Sequence, residues 1–483
     1  MARRADLKTG YNCNSNCVFC VIGDKLFTGD RSTEDCLEEL RASRATCDDV
    51  VFTGAEVTIR PDFFQLVAAA RKLGYRNIQI QTNGRMFAYR EFCERAIRAG
   101  ANEFSPSIHG HVARLHDGLT RSQGSFDQIV AAIRNLRALG QRIVTNTVAT
   151  RQNAKHLPAL ARLLVELGVD QFQIAFPHPT GHAETYFNGV VPRMRELQPF
   201  VRQALDVGIA AGVRCMAEAM PYCQLPGYER YVAELHIPPT EIVYDGFVVP
   251  DYKRDRMDRG KTRFAQCATC RFEPMCEGPW REYPEQLGSD EFQPVAGPRV
   301  LDPAIVLDPR FELLGTAAPP VGDFDAGAAR WVAVVFYPEA FSPACTSQLC
   351  SVEAGRAALE AAGVAIVGVS RDGKARQDAF ARSSALGFPL IADEDGRIAR
   401  AFRAEGRSTY LIGPTRRIDH ILVEPDVRAH AAQILDGVRR FEAGPRLLER
   451  GPELVVIRRK PKPADEVAAE LALSPDHLDE FTH

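Results

Sequence analysis

From residue 3 to about 215, short runs of apolar and β-branched residues alternate with longer stretches whose apolar positions recur every three or four residues. The short runs predict strands at 49–52, 77–81, 103–108, 142–148 and 170–175, with another short strand before residue 13. The longer stretches predict helices over 61–73, 89–99, 126–139 and 154–167. Four of these patterns stop at Gly74, Gly100, Gly140 and Gly168, where a left-handed C-terminal cap favours glycine. Alternation at this spacing predicts a parallel sheet with crossover helices, either an open barrel or a doubly wound fold. Reacting groups on such sheets gather at the C-terminal ends of the strands.

From 213 to 296 the periodicity fades while Pro, Cys and aromatic residues increase, which predicts a small unit stapled by bound ligands. Residues 297–314, with their repeated Asp-Pro pairs, read as a linker. A second α/β pattern fills 315–445, with strand-like runs at 331–336, 365–370, 389–392 and 409–412. The tail, 446–483, has a short apolar run at 454–457, then a basic cluster and an acidic end.

Composition narrows the function classes. A length of 483 residues suggests about three units. Hydrophobic content of 45% and charge of 25% are ordinary globular values. A net charge of −3 argues against a strongly basic nucleic-acid binder. No apolar run approaches the roughly 18–20 residues that cross a bilayer, and no apolar signal segment follows the N-terminus. The expectation is a cytoplasmic protein with no nucleic-acid or membrane partner, its thiols kept reduced. The thirteen cysteines then read as ligands or redox groups, and their spacing carries the chemistry.

Cys13, Cys17 and Cys20 form a C-x3-C-x2-C triplet, with Phe19 before the last thiol. Three thiolates at this spacing suit a [4Fe–4S] cluster with one iron open to a small molecule; a zinc loop is the alternative. The triplet resembles the signature of the radical S-adenosylmethionine (SAM) superfamily. Thr53-Gly54-Ala55-Glu56 is similar to its Gly-Gly-Glu segment, with Ala55 in place of the second Gly. Thr82-Asn83-Gly84 and Ser107-Ile108-His109-Gly110 are similar to family segments at the barrel mouth. The resemblance spans roughly residues 5–215 and implies a partial (β/α)6 TIM-like barrel. It further implies that Phe19, Gly54, Glu56, Asn83, Ser107 and His109 surround SAM, with Glu56 holding its amino group. The implied activity is reductive cleavage of SAM to a 5′-deoxyadenosyl radical that takes a hydrogen atom from substrate.

Cys267, Cys270 and Cys276 make a C-x2-C-x5-C group, and Cys223 supplies a fourth thiol, with Cys215 as its rival. Four thiolates without an open site suit a closed iron–sulfur cluster or a closed zinc site. The run from Cys276 through Trp280 and Tyr283 to Phe292 resembles the SPASM/twitch extensions of radical SAM barrels, which implies an auxiliary [4Fe–4S] cluster. Cys36, Cys47 and Cys93 show no partner pattern and read as buried thiols.

After the strand at 331–336 come Pro338, Ser342, Cys345 and Cys350. This P-x3-[ST]-x2-C pattern resembles the bacterioferritin-comigratory class of peroxiredoxins, over about residues 315–445, and implies a thioredoxin-like domain. The resemblance makes Cys345 the peroxidatic thiol, Ser342 a hydrogen-bonding partner of peroxide, Pro338 a shield and Arg407 a stabiliser of thiolate and peroxide. Cys350 matches the resolving thiol. Five residues of helix rise about 7.5 Å, beyond the roughly 4.4–6.8 Å that a disulfide spans between Cα atoms, so the bond requires the helix start to unwind.

These readings combine into an α/β chain of five segments. A radical SAM barrel fills 1–212, an auxiliary-cluster unit 213–296 and a linker 297–314, before the peroxiredoxin at 315–445 and the tail at 446–483. Expected partners are a peptide or small-molecule substrate, an electron donor such as flavodoxin or ferredoxin, and a thiol reductant such as thioredoxin. The rival reading is a catalytically idle or zinc-bound barrel with thiol-dependent peroxide reduction as the only activity.

Overall fold

The computed structural model describes residues 3–244, 247–296, 299–443 and 447–450, and the tail from Gly451 with its apolar run lies outside the described residues. The chain forms two units, Met1–Leu301 and Asp302–His483.

In the first unit, nine strands make one sheet. They are β1 (Arg4–Lys8), β2 (Asp49–Thr53), β3 (Asn77–Thr82), β4 (Glu103–Pro106), β5 (Arg142–Val148), β6 (Gln171–Ala175), β7 (Arg214–Glu218), β8 (Thr240–Tyr244) and β9 (Phe247–Val249). Strands β1 to β7 are parallel and ordered as in the chain. The six strands read from the sequence form the expected partial barrel, and 214–218 adds a seventh parallel strand beside β6. Strand β8 adds in parallel beside β1, and β9 returns antiparallel. Neither was expected, since 240–249 lies within the Cys-rich stretch that shows no periodicity.

Helices cover the outer face. Phe63–Lys72, Arg90–Ala99, Ser125–Ala138 and Leu157–Glu166 lie within or near the stretches expected to be helical. Thr33–Ser43 was not anticipated, although Ser32 caps it by accepting from the Asp35 N–H at 3.0 Å. Buried Leu7, Ile78, Ile80, Phe172 and Ile174 occupy alternate positions of their strands and form the apolar layer.

The unit boundary falls inside the stretch read as linker, and the segment after the boundary is ordered. Asp302 and Asp308 accept hydrogen bonds from the N–H groups of Ala304 and Arg310 and cap two short helices, Pro303–Leu307 and Pro309–Leu313. Asp-Pro here is an N-cap followed by proline in the first turn, a helix start rather than a breaker. Phe311, Leu313 and Leu314 then pack against the core of the second unit.

That unit contains β10 (Trp331–Phe336), β11 (Val364–Ser370), β12 (Leu390–Ala392), β13 (Ser408–Ile412), β14 (Ile418–Val423) and β15 (Leu447–Arg450). Their order is β12-β11-β10-β13-β14-β15. Strands β10 to β12 are parallel, and β13 and β14 are antiparallel additions. All six residues of β10 are buried, as a central strand covered on both faces requires. Trp331, Ala333 and Val335 face one core and Val332, Val334 and Phe336 the other, giving a thioredoxin-like sandwich.

Helix Met194–Ala210 comes close to the sheet at Gly208. A Cβ there would lie 2.7 Å from the Phe172 ring and 2.9 Å from the Cys215 Cβ. Gly208→Ala is therefore expected to destabilise this unit by about 1–3 kcal/mol through overpacking, despite the gain of about 1 kcal/mol in helix propensity. Urea unfolding followed by far-UV circular dichroism checks the sign; a stabilised variant contradicts this packing.

Candidate functional sites

The loop between β1 and the first helix carries Cys13, Cys17 and Cys20 over the C-terminal ends of the strands. All three line one cavity of about 330 Å³, together with Phe19, Gly54, Ala55, Asn83, Ser107 and His109. The loop is held from several sides. Asn16 N–H donates to the Thr120 carbonyl at 3.1 Å and Val18 N–H to that of Leu119 at 2.9 Å. His182 donates from Nδ1 to the Cys17 carbonyl at 2.9 Å, and Arg85 reaches the Asn14 carbonyl. Ser15 N–H and Asn83 Nδ2 point at the Cys13 sulfur, at 3.4 and 3.8 Å.

Gly54 has φ of 124°, and a Cβ there would meet the Gly10 carbonyl oxygen at 2.8 Å, so only glycine lets these two loops touch. Ala55 is not among the residues with positive φ, which explains why the second position tolerates a side chain.

Glu56 lies in the loop after β2. It is 2% exposed and does not line the cavity. Its carboxylate accepts from Thr58 N–H, Thr58 Oγ1, Thr82 Oγ1 and Asn83 N–H, at 3.2, 2.5, 2.6 and 2.6 Å. Burial pushes its carboxyl upward against the pull of those four donors. Asn83 extends the connection to the cysteine loop, donating to Asn14 Oδ1 at 2.6 Å.

His109 is buried with its ring edge-on to Phe19 at 4.6 Å. Its Nδ1 accepts from Val148 N–H at 3.2 Å, so Nε2 carries the proton of the neutral ring. Burial and neighbouring His116 hold His109 well below the usual histidine range. Burial, then the charges of Glu56 and Cys20, pushes the Cys13 thiol up to about 12. Crowded, desolvated thiols of this kind ionise readily only when a metal supplies the opposing charge. Lys8, Gln81 and Asn146 also line this cavity and were not singled out from the sequence.

The second cysteine group also converges. Cys223, Cys267, Cys270 and Cys276 line a common pocket closed by Phe264, Phe292 and Pro279. Phe264 N–H and Val295 N–H point at the sulfurs of Cys267 and Cys270, at 3.5 and 3.4 Å. Cys276 receives the backbone N–H groups of Gly278 and Tyr222. Burial pushes Cys223 up to about 12 and Cys276 to about 11. Cys215 lies in β7, buried, its thiol donating to the Leu205 carbonyl; it does not reach this pocket. Among the described residues no three Cys, His, Asp or Glu side chains already stand in a closed ligating arrangement. Four convergent sulfurs with N–H donors nevertheless fit a metal–sulfur group in donor chemistry. Cys36, Cys47 and Cys93 are buried, as expected.

In the second unit, Cys345 is fully buried in the first turn of the helix Pro343–Ala354. Ser342 caps that helix, accepting from the Cys345 N–H at 3.4 Å while its own hydroxyl donates to the Glu339 carbonyl at 3.2 Å. Arg407 Nη2 lies 3.5 Å from the Cys345 sulfur. Pro338 is exposed on the approach to the helix. Cys350 shares the unbroken helix, half-buried, and both thiols are free. Sequence reading missed His430, which is buried against Thr409 Oγ1 at 2.9 Å and binds Ser351 Oγ through its N–H at 3.1 Å. It therefore ties the far end of the cysteine helix to β13.

Two family models match: the radical SAM superfamily over residues 7–176 and the AhpC/TSA family over 309–421. A probable GTP 3′,8-cyclase of Saccharolobus islandicus is 26% identical over 40% of this chain and 62% of its own length. An AdoMet-dependent heme synthase of Oleidesulfovibrio alaskensis is 30% identical over 36% of this chain and 45% of its own. The chain thus spans less than two thirds of the length of these curated relatives. Among solved structures, a variant of Xanthomonas campestris peroxiredoxin Q is 28% identical, covering 24% of this chain and 81% of that one, with a TM-score of 0.23. Streptococcus suis SuiB bound to S-adenosylmethionine is 15% identical, covering 60% and 76%, with a TM-score of 0.47.

Burial holds His430 down at about 3, against about 6.5 in the unfolded chain. Its stabilising contribution is complete above about pH 6.5 and is lost as pH falls toward 3, because only the unfolded imidazole binds a proton in that window. The unfolding free energy of the second unit should fall by up to about 1.4 kcal/mol per pH unit there from this group. His430→Gln should flatten the slope in urea titrations; an unchanged slope contradicts the assignment.

Proposed function

We propose, from the premise that the chain carries a radical SAM domain followed by an AhpC/TSA peroxiredoxin domain, that it couples radical chemistry on a peptide or small metabolite to thiol-dependent peroxide reduction. The observation that carries the first half is the convergence of Cys13, Cys17 and Cys20 on one cavity with Gly54, Ser107 and His109. Those thiols would hold a [4Fe–4S] cluster with one iron left for SAM. When bound there, SAM supplies a 5′-deoxyadenosyl radical on one-electron reduction, with flavodoxin or ferredoxin as the fitting donor class. Around it the chain's own residues perform defined tasks. Gly54 and Ala55 offer backbone at close range, Asn83 and Ser15 donate toward the Cys13 side, and Phe19 and neutral His109 exclude water from the wall. Glu56 acts through Thr82 and Asn83 as a positioning residue rather than as a direct ligand of the SAM amino group.

Cys223, Cys267, Cys270 and Cys276 would hold a second, closed cluster. The relatives are named for a GTP cyclase and a heme synthase, and this chain shares only part of their length.

In the second unit the Cys345 thiolate attacks the terminal peroxide oxygen. The O–O bond breaks, sulfur becomes a sulfenic acid, and the leaving oxygen departs as alcohol or water after taking a proton. The Arg407 guanidinium faces the charge that develops on sulfur and oxygen. Cys350 then displaces water from the sulfenic acid to form a disulfide, which a thiol reductant such as thioredoxin reopens. Because both thiols lie on one continuous helix, that step requires its first turns to unwind.

Anaerobic reconstitution is expected to load about eight iron atoms per chain, as two four-iron clusters require, falling to half in Cys267→Ala/Cys270→Ala. One zinc per chain in place of the second four irons would replace that cluster with a structural metal. Cys13→Ala should abolish 5′-deoxyadenosine formation from SAM under dithionite, and intact SAM with the parent protein sinks the radical assignment. In peroxide-consumption assays Cys345→Ser should fall to background and Arg407→Ala should lose about 10²-fold in kcat/KM. Unchanged turnover in either removes that residue from its role.

A further inference from the structure

We propose that the substrate of the radical centre is a small, neutral or zwitterionic polar metabolite held inside the barrel on the N-terminal side of the thiol cavity, and not a segment of peptide chain; this rests on the radical assignment above.

Strands of a parallel barrel are covered on both faces and are ordinarily apolar on both, the interior being filled by branched aliphatic side chains. This barrel departs from that rule. In β1 the residues alternating with buried Ala5 and Leu7 are Arg4, Asp6 and Lys8. In β3 those alternating with Ile78 and Ile80 are Asn77, Gln79 and Gln81, and in β6 Gln171 and Gln173 flank Phe172. These polar positions line a second cavity of about 450 Å³, within the range of small-molecule sites. Lys8, Gln81 and Asn146 line both this cavity and the one bearing the three thiols, so the two adjoin across these side chains.

The walls specify the class of ligand. Four basic and four acidic side chains line the cavity, which leaves no net field to draw in a polyanion. Gln79 and Gln173 are fixed by donating to Glu103 and Glu218, at 2.6 and 2.5 Å. Asn146 Oδ1 is buried without a hydrogen-bond partner at the junction of the cavities, and Arg4 Nε is similarly unpaired at the other end. An unpaired buried acceptor is costly, and a ligand N–H or O–H at Asn146 would satisfy it. Peptide segments are gripped by main-chain pairing to a free strand edge or by apolar pockets. Strands β1 to β6, which supply most of the lining, are paired on both sides, so only β7 has an open edge, and the lining is predominantly polar.

The test uses the iron-loaded full-length chain with SAM and dithionite, and two fractions from cells grown in heavy water: a polar small-molecule extract and a protein fraction. In the reaction a substrate C–D bond breaks and its deuterium atom passes to the 5′ carbon of the adenosyl group. Dithionite supplies the electron, methionine leaves, and 5′-deoxyadenosine becomes one mass unit heavier. Deuterated product is expected with the small-molecule extract, its proportion falling about tenfold in Gln171→Leu, whose side chain has only a 3.9 Å contact with the Met216 sulfur to lose. Gln173→Leu serves if thermal unfolding shows the first variant misfolded. A readout independent of turnover is equilibrium dialysis of the unreduced chain against the extract, in which the retained compound should be lost in the same variant. Deuterium from the protein fraction alone, or light product from both fractions, overturns the proposal while leaving radical chemistry intact. No 5′-deoxyadenosine from either fraction removes the radical assignment itself, and this proposal with it.

Discussion

The N-terminal site depends on how one buried carboxylate is satisfied. Glu56 lies almost wholly out of water, and a carboxylate in that position is tolerated only when its oxygens are hydrogen-bonded. Its four donors come from Thr58, Thr82 and Asn83, so the loops after β2 and β3 are fastened to one another through a charge that folding can bury in few other ways. Asn83 carries the constraint to Asn14 and the Cys13 sulfur. The cysteine loop is thus placed by the strand ends beneath it, before any metal is considered.

The two units surround one residue type in two different ways. The thiols of the first unit are crowded against each other and a carboxylate, with N–H dipoles directed at sulfur, an environment that suits metal ligands. Cys345 instead sits at a helix start with a guanidinium 3.5 Å away, which suits a nucleophile that must carry negative charge unaided.

Much of this was legible in the chain. Strands at 49–52, 77–81, 142–148 and 331–336 stood out because short apolar or alternating runs bounded by helix-length patterns have few other readings. Cysteine spacing singled out both groups of thiols that the fold brings together. The misreadings have physical causes. Asp302 and Asp308 precede proline, which suggests a break until capping is counted. Sequence position also cannot tell whether a carboxylate faces a cavity or a neighbouring loop, and the hydrogen bond from Thr82 to Glu56 is seen only in the fold. The alternation in Arg4–Lys8 and Asn77–Thr82 went unexploited, although polar residues every second position in a parallel strand already imply a lumen that is not packed with hydrocarbon.

The most direct test of the central claim is low-temperature electron paramagnetic resonance of the dithionite-reduced, iron-loaded chain before and after SAM is added. The account predicts a reduced four-iron signal whose g values shift on addition of SAM, and the loss of that SAM-sensitive component in Cys17→Ala. A spectrum in which no component responds to SAM, or a SAM-sensitive component that persists in Cys17→Ala, would contradict it.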